Sequence, residues 1–218
     1  LQPPAPPSLA EAAAATRWFL DSPYSHSDGQ CFVCGSAWPE GQGLRVFTGP
    51  VPGRPGLSAA LWRPHPVFAG ADGQVAPLYL WSALDCAGHF AFTLEDKPQR
   101  MLLGRMTGQL LGPVAVAEPQ IVIGWQLGRE GRKCAAGTAI FTAAGALRGY
   151  RRSVPQPLDR PASAPWRGRN RQAQPHPLAP PTTRNLPAGP RTAGSTPWNR
   201  AQVCCQQSAE RLKACGPA

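Results

Sequence analysis

Val75 to Phe92 reads VAPLYLWSALDCAGHFAF, a mostly apolar run that carries Asp85 and His89 four residues apart near its far end. Leu80, Leu84, Cys86, Ala87 and Ala91 fall on an apolar surface at helical spacing, and Trp81, Ala83, Phe90 and Phe92 leave almost no polar face. A helix of that kind belongs inside a fold, buried on most sides. Pro77 suits its first turn, where a missing N–H costs no intrahelical bond. From Pro77 to Phe92 the helix rises roughly 24 Å, short of the about 20 apolar residues that a bilayer span requires. Asp85 and His89 argue against lipid as well, so no membrane span is expected.

Outward from this helix the chain alternates short strands with turns. Upstream, Gly43 to Phe47 and Leu57 to Trp62 read as two strands joined by the loop TGPVPGRPG, and Arg63 to Gln74, rich in Pro, Gly and Asp, leads into the helix start. Downstream, Thr93 to Gln99 reads as an exposed turn. Four strands are expected beyond it: Arg100 to Leu111, Glu118 to Leu127, Lys133 to Thr142 after the hairpin turn GREGR, and Ala146 to about Arg152. Near the start, Ser8 to Leu20 is a first helix, with Ser8 as N-cap and Glu11 three places on in a capping box. The order predicts an α+β fold in which a meander of antiparallel strands surrounds one buried helix.

Charge divides the chain. Residues 1 to 150 carry 11 Lys and Arg against 10 Asp and Glu, whereas residues 151 to 218 carry 11 against 2. The basic character therefore belongs to the end of the chain, and the near-neutral remainder shows no basic face of the kind that binds nucleic acid. Residues 153 to 218 hold 12 prolines and few branched apolar residues, too little to offset the ordering of the backbone. The expected organisation is a leader with a short helix over 1 to 24, a folded domain over 25 to 152 and a basic, Pro-rich disordered tail over 153 to 218.

Seven cysteines, at 31, 34, 86, 134, 204, 205 and 215, form no regular disulfide framework, and reduced thiols in a cytoplasmic compartment are the simpler expectation. Cys31-Phe32-Val33-Cys34-Gly35 is a CxxCG knuckle. A structural zinc site wants four ligands, usually from two such pairs, and no second pair lies in the folded part. Borrowing His26, His65 or Cys86 has no warrant in the spacing. A redox pair belongs at a helix start after a strand, whereas the turn-rich Ser36 to Gly43 follows here. A structural turn is the expected reading, with no metal and no cofactor.

The pieces CFVCG at 31 to 35, GLRVFTG at 43 to 49, AGADG at 69 to 73, LYLWSALDCAG at 78 to 88 and LLGRMTGQL at 102 to 110 together resemble the hotdog-fold thioesterase superfamily, specifically its small actinobacterial-type thioesterase-like proteins. The likeness extends through IVIGW and AGTAIF, covering roughly residues 25 to 150. It implies a hotdog fold, a curled antiparallel sheet wrapped around one long central helix. It also implies a homodimer paired sheet edge to sheet edge and an acyl thioester substrate, commonly of coenzyme A. The chain departs from the group in two places. Ala87-Gly88-His89 stands where the group has Pro-Gly after its LDC, so His89 inherits no role from it. An apolar last strand gives way to GYRRSVPQ and the basic tail, which is what a shifted reading frame or a mispredicted gene end generates.

Thioester hydrolysis needs a polarised carbonyl and an activated water. The resemblance implies backbone N–H donors at the helix start, Gly73 to Pro77, for the first task and a carboxylate for the second. Asp85 is the best carboxylate in the apolar stretch, with a structural hydrogen bond as its other reading. His89 shares a helix face with Asp85, so a catalytic pair or a helix-end hydrogen bond fits it. His65, Trp81, Arg105 and Lys133 are the expected substrate-binding residues, the two cations suiting the phosphates of coenzyme A although Lys133 also fits an ordinary solvated hairpin. The expected function is hydrolysis of acyl-CoA-like thioesters, with a binding protein that does not hydrolyse them as the alternative.

Overall fold

A computed structural model describes residues 1 to 22, 29 to 93 and 101 to 157. His26, the expected turn after Thr93 and most of the expected tail, with Cys204, Cys205 and Cys215, lie outside these described residues. Among the described residues two α-helices, α1 (Leu9–Asp21) and α2 (Pro77–Thr93), accompany six strands: β1 (Gly49–Pro50), β2 (Leu57–Trp62), β3 (Met101–Leu110), β4 (Gln120–Glu130), β5 (Lys133–Thr142) and β6 (Leu147–Pro157).

The capping box forms as its residue types require. The Ser8 N–H donates to Glu11 Oε2 at 2.7 Å, and the Glu11 N–H donates to Ser8 Oγ at 3.2 Å. Ala12, Ala15 and Phe19 make the buried side of α1. On α2 the inner face is Leu80, Ala83, Leu84, Ala87 and Ala91, all at most 2% exposed. The helix is less enclosed than its composition suggests, because Leu78 is 69% exposed and Trp81, Asp85 and His89 are half-buried along the opposite side.

The strands pair antiparallel in the order β1-β2-β4-β5-β6-β3. Only β4, β5 and β6 form a meander; β3 crosses to the far edge beside β6, and β2 pairs with β4 rather than with the strand that follows it in the chain. The sheet curled around one helix is corrected here. The six strands form an open sheet with β1 at one edge and β3 at the other, and each face carries a helix. Ala59, Ile121, Ile123, Ala139 and Phe141 cluster with Ala12 and Ala15 of α1, while Ala60, Trp62, Val122 and Ile140 cluster with α2. The physical reason is in the strands. Residues of β4 point alternately to opposite faces, and Ile121, Val122 and Ile123 are all apolar, so both faces need cover.

Close approach of backbone sets both helices. A Cβ on Gly124 would meet the Ala87 carbonyl oxygen at 1.9 Å, and one on Gly49 would meet the Ala15 carbonyl oxygen at 2.1 Å. Polar side chains of the sheet then bond the α2 backbone: Ser58 Oγ donates to the Ala87 carbonyl at 3.0 Å, Thr138 Oγ1 to Leu84 at 2.8 Å and Gln126 Nε2 to Ala91 at 2.7 Å. The buried hydroxyls of Ser58 and Thr138 are satisfied in this way, and the helix is fixed along its length.

Two strand expectations change. Gly43 to Phe47 forms no strand, because Arg45 adopts φ 59° and turns the backbone. Its guanidinium donates to the Trp38 carbonyl at 2.7 Å and lies 5.0 Å from the centre of the Phe47 ring. β6 runs to Pro157, past the expected end near Arg152. No helix among the described residues is long and apolar enough to cross a membrane.

Candidate functional site

The half-buried side of α2 presents Trp81, Asp85 and His89 at successive turns, the spacing that puts i, i+4 and i+8 in a row. Asp85 is fixed from the sheet. Arg151 of β6 reaches across at 1% exposure and its Nη2 donates to Asp85 Oδ1 at 3.1 Å, while the Asp85 side chain keeps 41% exposure. The same guanidinium donates to the backbone carbonyls of Leu84 and Asp85, and its Nε reaches Thr138 Oγ1 at 2.9 Å. Burial pulls the Arg151 guanidinium below its ordinary value, and the neighbouring Asp85 charge pushes it back. The result is a carboxylate open to solvent on one side and held by a buried cation on the other.

His89 lies one turn beyond Asp85, its ring edge-on to Phe90 with centroids 5.2 Å apart. His65 caps a short 3₁₀ turn, Pro66–Phe68, its Nδ1 accepting from the Val67 N–H at 3.2 Å, and its ring lies edge-on to Phe68. Arg105 is exposed on β3 just after a register shift between Leu103 and Arg105, and Lys133 is exposed at the start of β5. Gly73 sits in a turn at φ 73°.

The helix-start donors are committed within the fold. The Gly73 N–H donates to Gly70 O at 3.1 Å, Gln74 to Asp72 Oδ1 at 3.1 Å, Val75 to Val114 O at 2.8 Å and Ala76 to Phe68 O at 2.9 Å. Pro77 has none to give. Leu78, second residue of α2, has no acceptor one turn back within the helix.

A second group lies beside the first. The sulfurs of Cys31, Cys34 and Cys86 all fall within 4.8 Å of one another, and Cys31 and Cys86 approach to 3.7 Å. Hydrogen bonds from the Cys34 and Cys86 thiols, with the backbone N–H groups of Cys34 and Val33, outweigh burial and pull the Cys31 thiol down to about 2. Cys86, donor to Cys31, is pushed up by that bond, by Cys34 and by burial. Neither Arg151 nor the joining of Cys86 to the CxxC pair was visible in local spacing. The available signal for Arg151 was a lone cation in strand alternation with Gly149 and Ser153; for Cys86 it was only a small thiol beside Asp85 in an apolar helix.

No protein-family model and no curated protein matches the chain. Solved structures similar to it include a thioesterase superfamily protein at 19% identity and TM-score 0.42, covering 46% of this chain and 49% of that one. Another is a hypothetical thioesterase from Streptococcus pneumoniae TIGR4 with coenzyme A, at 10% identity and TM-score 0.45, covering 48% of this chain and 80% of that one. Thioesterase superfamily member 2 from Mus musculus is similar at 14% identity and TM-score 0.44, with 53% and 84% covered. The likeness is distant throughout, and the match to the first of these spans about half of that protein's length.

Proposed function

We propose that the chain hydrolyses acyl-CoA-like thioesters with Asp85 as the base that activates water. The observation that carries this reading is the Asp85–Arg151 pair: a carboxylate with 41% exposure, oriented by a cation at 1% exposure. Arg151 holds Oδ1 in place, and a carboxylate so oriented can accept a proton from water. Trp81 and His89 flank it on the same side of α2 and offer walls for the acyl chain. Arg105 on β3 and Lys133 at the start of β5 are exposed, where cations can meet phosphates. The motif resemblance, carried by LYLWSALDCAG and its companions, supplies the substrate class.

Polarising the thioester carbonyl falls to the Leu78 N–H, since Gly73 to Ala76 spend theirs inside the fold. Leu78 and Asp85 are separated by roughly 10 Å along the helix axis, too far to serve one carbonyl within a single chain. A homodimer that sets the α2 outer side of one copy against that of another removes this obstacle. The β3 edge is the surface for such pairing.

The committed donors also favour a second reading, in which the chain binds acyl thioesters without hydrolysing them. A panel of acyl-CoA thioesters incubated with the full chain separates the two, followed by loss of thioester absorbance and by calorimetric binding. Turnover that falls roughly 100-fold or more in Asp85→Asn supports the hydrolase. Binding without turnover supports the second reading, and neither binding nor turnover overturns both.

A further inference from the structure

We propose that Cys31, Cys34 and Cys86 form a three-thiolate site for a thiophilic d10 metal ion, zinc(II) in the first place. The geometry fits a bound ion. Zinc–sulfur bonds of about 2.3 Å in tetrahedral array place sulfurs about 3.8 Å apart. Cys31 and Cys86 stand at 3.7 Å, and the three sulfurs lie within 4.8 Å of one another. A disulfide needs about 2.05 Å, and all four described cysteines are free thiols.

The surroundings are built for thiolates. The knuckle is wound tightly, with the Gly35 N–H donating to Cys31 O at 2.7 Å. A Cβ on Gly35 would meet the Gly29 carbonyl oxygen at 2.4 Å, so glycine is needed where the chain leaves the pair. Backbone N–H groups of Val33 and Cys34 point at the Cys31 sulfur, donors that stabilise negative charge there. Cys86 arrives on α2, between the fully buried Leu84 and Ala87, so its position is set by the core rather than by a loop. Phe19, Phe47 and Phe90 pack around Cys34, with Cys31 and Cys86 against them, giving the group an apolar wall. Three thiolates and a divalent ion carry a net negative charge, and the Arg151 guanidinium is bonded to the carbonyl of Asp85, the residue before Cys86.

Among the described residues no further His, Cys, Asp or Glu joins the group. The fourth tetrahedral position is therefore left to a ligand from outside the cluster, whereas closed structural sites fill all four from the protein. Soft thiolate ligands select zinc(II) or copper(I) over magnesium, calcium and manganese.

The test uses the full chain with Cys204, Cys205 and Cys215 changed to Ser, reduced and stripped of metal under anaerobic conditions. Cobalt(II) is titrated as a coloured substitute for zinc, then displaced with zinc(II) in one arm; copper(I) is offered to metal-free protein in another. The expected result is one ion per chain with thiolate-to-metal absorption. Cys31→Ser, Cys34→Ser and Cys86→Ser should each lose about one third of that absorption and bind zinc at least roughly tenfold more weakly. Cys134→Ser, a buried thiol outside the group, should match the parent. Uptake of copper(I) but not zinc or cobalt keeps the thiolate site and changes its ion. A thiol-labelling experiment on the parent removes any dependence on variants that fold poorly: zinc should protect Cys31, Cys34 and Cys86 from alkylation, read by peptide mass. No thiolate absorption with any of these ions, no protection of Cys86, or a Cys31–Cys86 disulfide that forms in air while the reduced protein takes up no metal would overturn the site.

Discussion

Arg151 sets the behaviour of Asp85 more than any neighbour on α2 does. A cation at 1% exposure donates to Asp85, Thr138 and the Leu84 carbonyl at once, so its removal disturbs orientation before it disturbs burial. Arg151→Met keeps length and apolar contact while deleting the donors. Because the Asp85 side chain is 41% exposed, water can solvate the orphaned carboxylate, and we expect a modest fall in melting temperature with a fall in kcat of roughly tenfold or more. Equal turnover in Arg151→Met and parent would remove Arg151 from the proposed mechanism. Cys31 supplies a second residue-scale prediction, with its sign set by the depressed thiol. Hydrogen bonds from Cys34, Cys86 and two backbone N–H groups hold it as a thiolate down to about 2. Alkylation of Cys31 in metal-free protein should stay level from pH 8 to pH 5, whereas an ordinary thiol slows about tenfold per unit as its thiolate fraction drops. A tenfold slope at Cys31, read by peptide mass, would contradict this.

At the scale of elements, α1 and α2 were legible because their signals are local. Ser8 and Glu11 sit three apart, and the run after Pro77 is apolar enough to need burial. β5 was legible for a similar reason, since a glycine-containing hairpin turn precedes it. Gly43 to Phe47 was not, because its short apolar run, alternating only partly, reads as a strand while Arg45 takes a left-handed backbone that a packing ring and a carbonyl acceptor stabilise. The neighbours of β3 were hidden for another reason: strand order is decided by contacts far apart in the chain. Cys86 joined the knuckle in the same way, across 55 positions that no spacing rule spans. Two element-scale predictions follow from the helix seats. Gly124→Ala drives a methyl into the Ala87 carbonyl, which α2 cannot avoid without lifting from the sheet, so a loss of roughly 2–3 kcal/mol or more is expected in denaturant unfolding. Ser8→Ala deletes the cap of α1 and should lower the melting temperature by a few degrees at neutral pH. Glu11, held below its ordinary 4.5 by the Ser8 hydroxyl and the Ser8 N–H, lends stability above that value and loses it as pH falls through the lowered one. The gap between Ser8→Ala and parent should therefore narrow in acid.

For the molecule as a whole, the two edges of the sheet are unequal. β1 has two residues, whereas β3 has ten and exposes Leu102. A long edge strand of this kind is a pairing surface unless something blocks it. The proposed homodimer therefore places its contact at β3, and Leu102→Lys should shift the particle mass measured by light scattering from dimer to monomer. A parent that is already monomeric at the highest concentration studied would remove the dimer from the proposed function.

The chain order of the strands also bears on how the protein is made. Leu57 pairs with Trp125, and Met106 pairs with Ser153, so β2 and β3 are each synthesised long before their partners. At roughly 5–20 residues per second, the side of β2 that meets β4 waits from about 3 s at the faster rate to about 14 s at the slower, and β3 waits for β6. Strand β3 has no partner, and Arg151 cannot hold Asp85, until β6 has left the ribosome. Folding should accordingly be slow and dominated by long-range pairing, and chains halted before residue 147 should be the ones that chaperones retain.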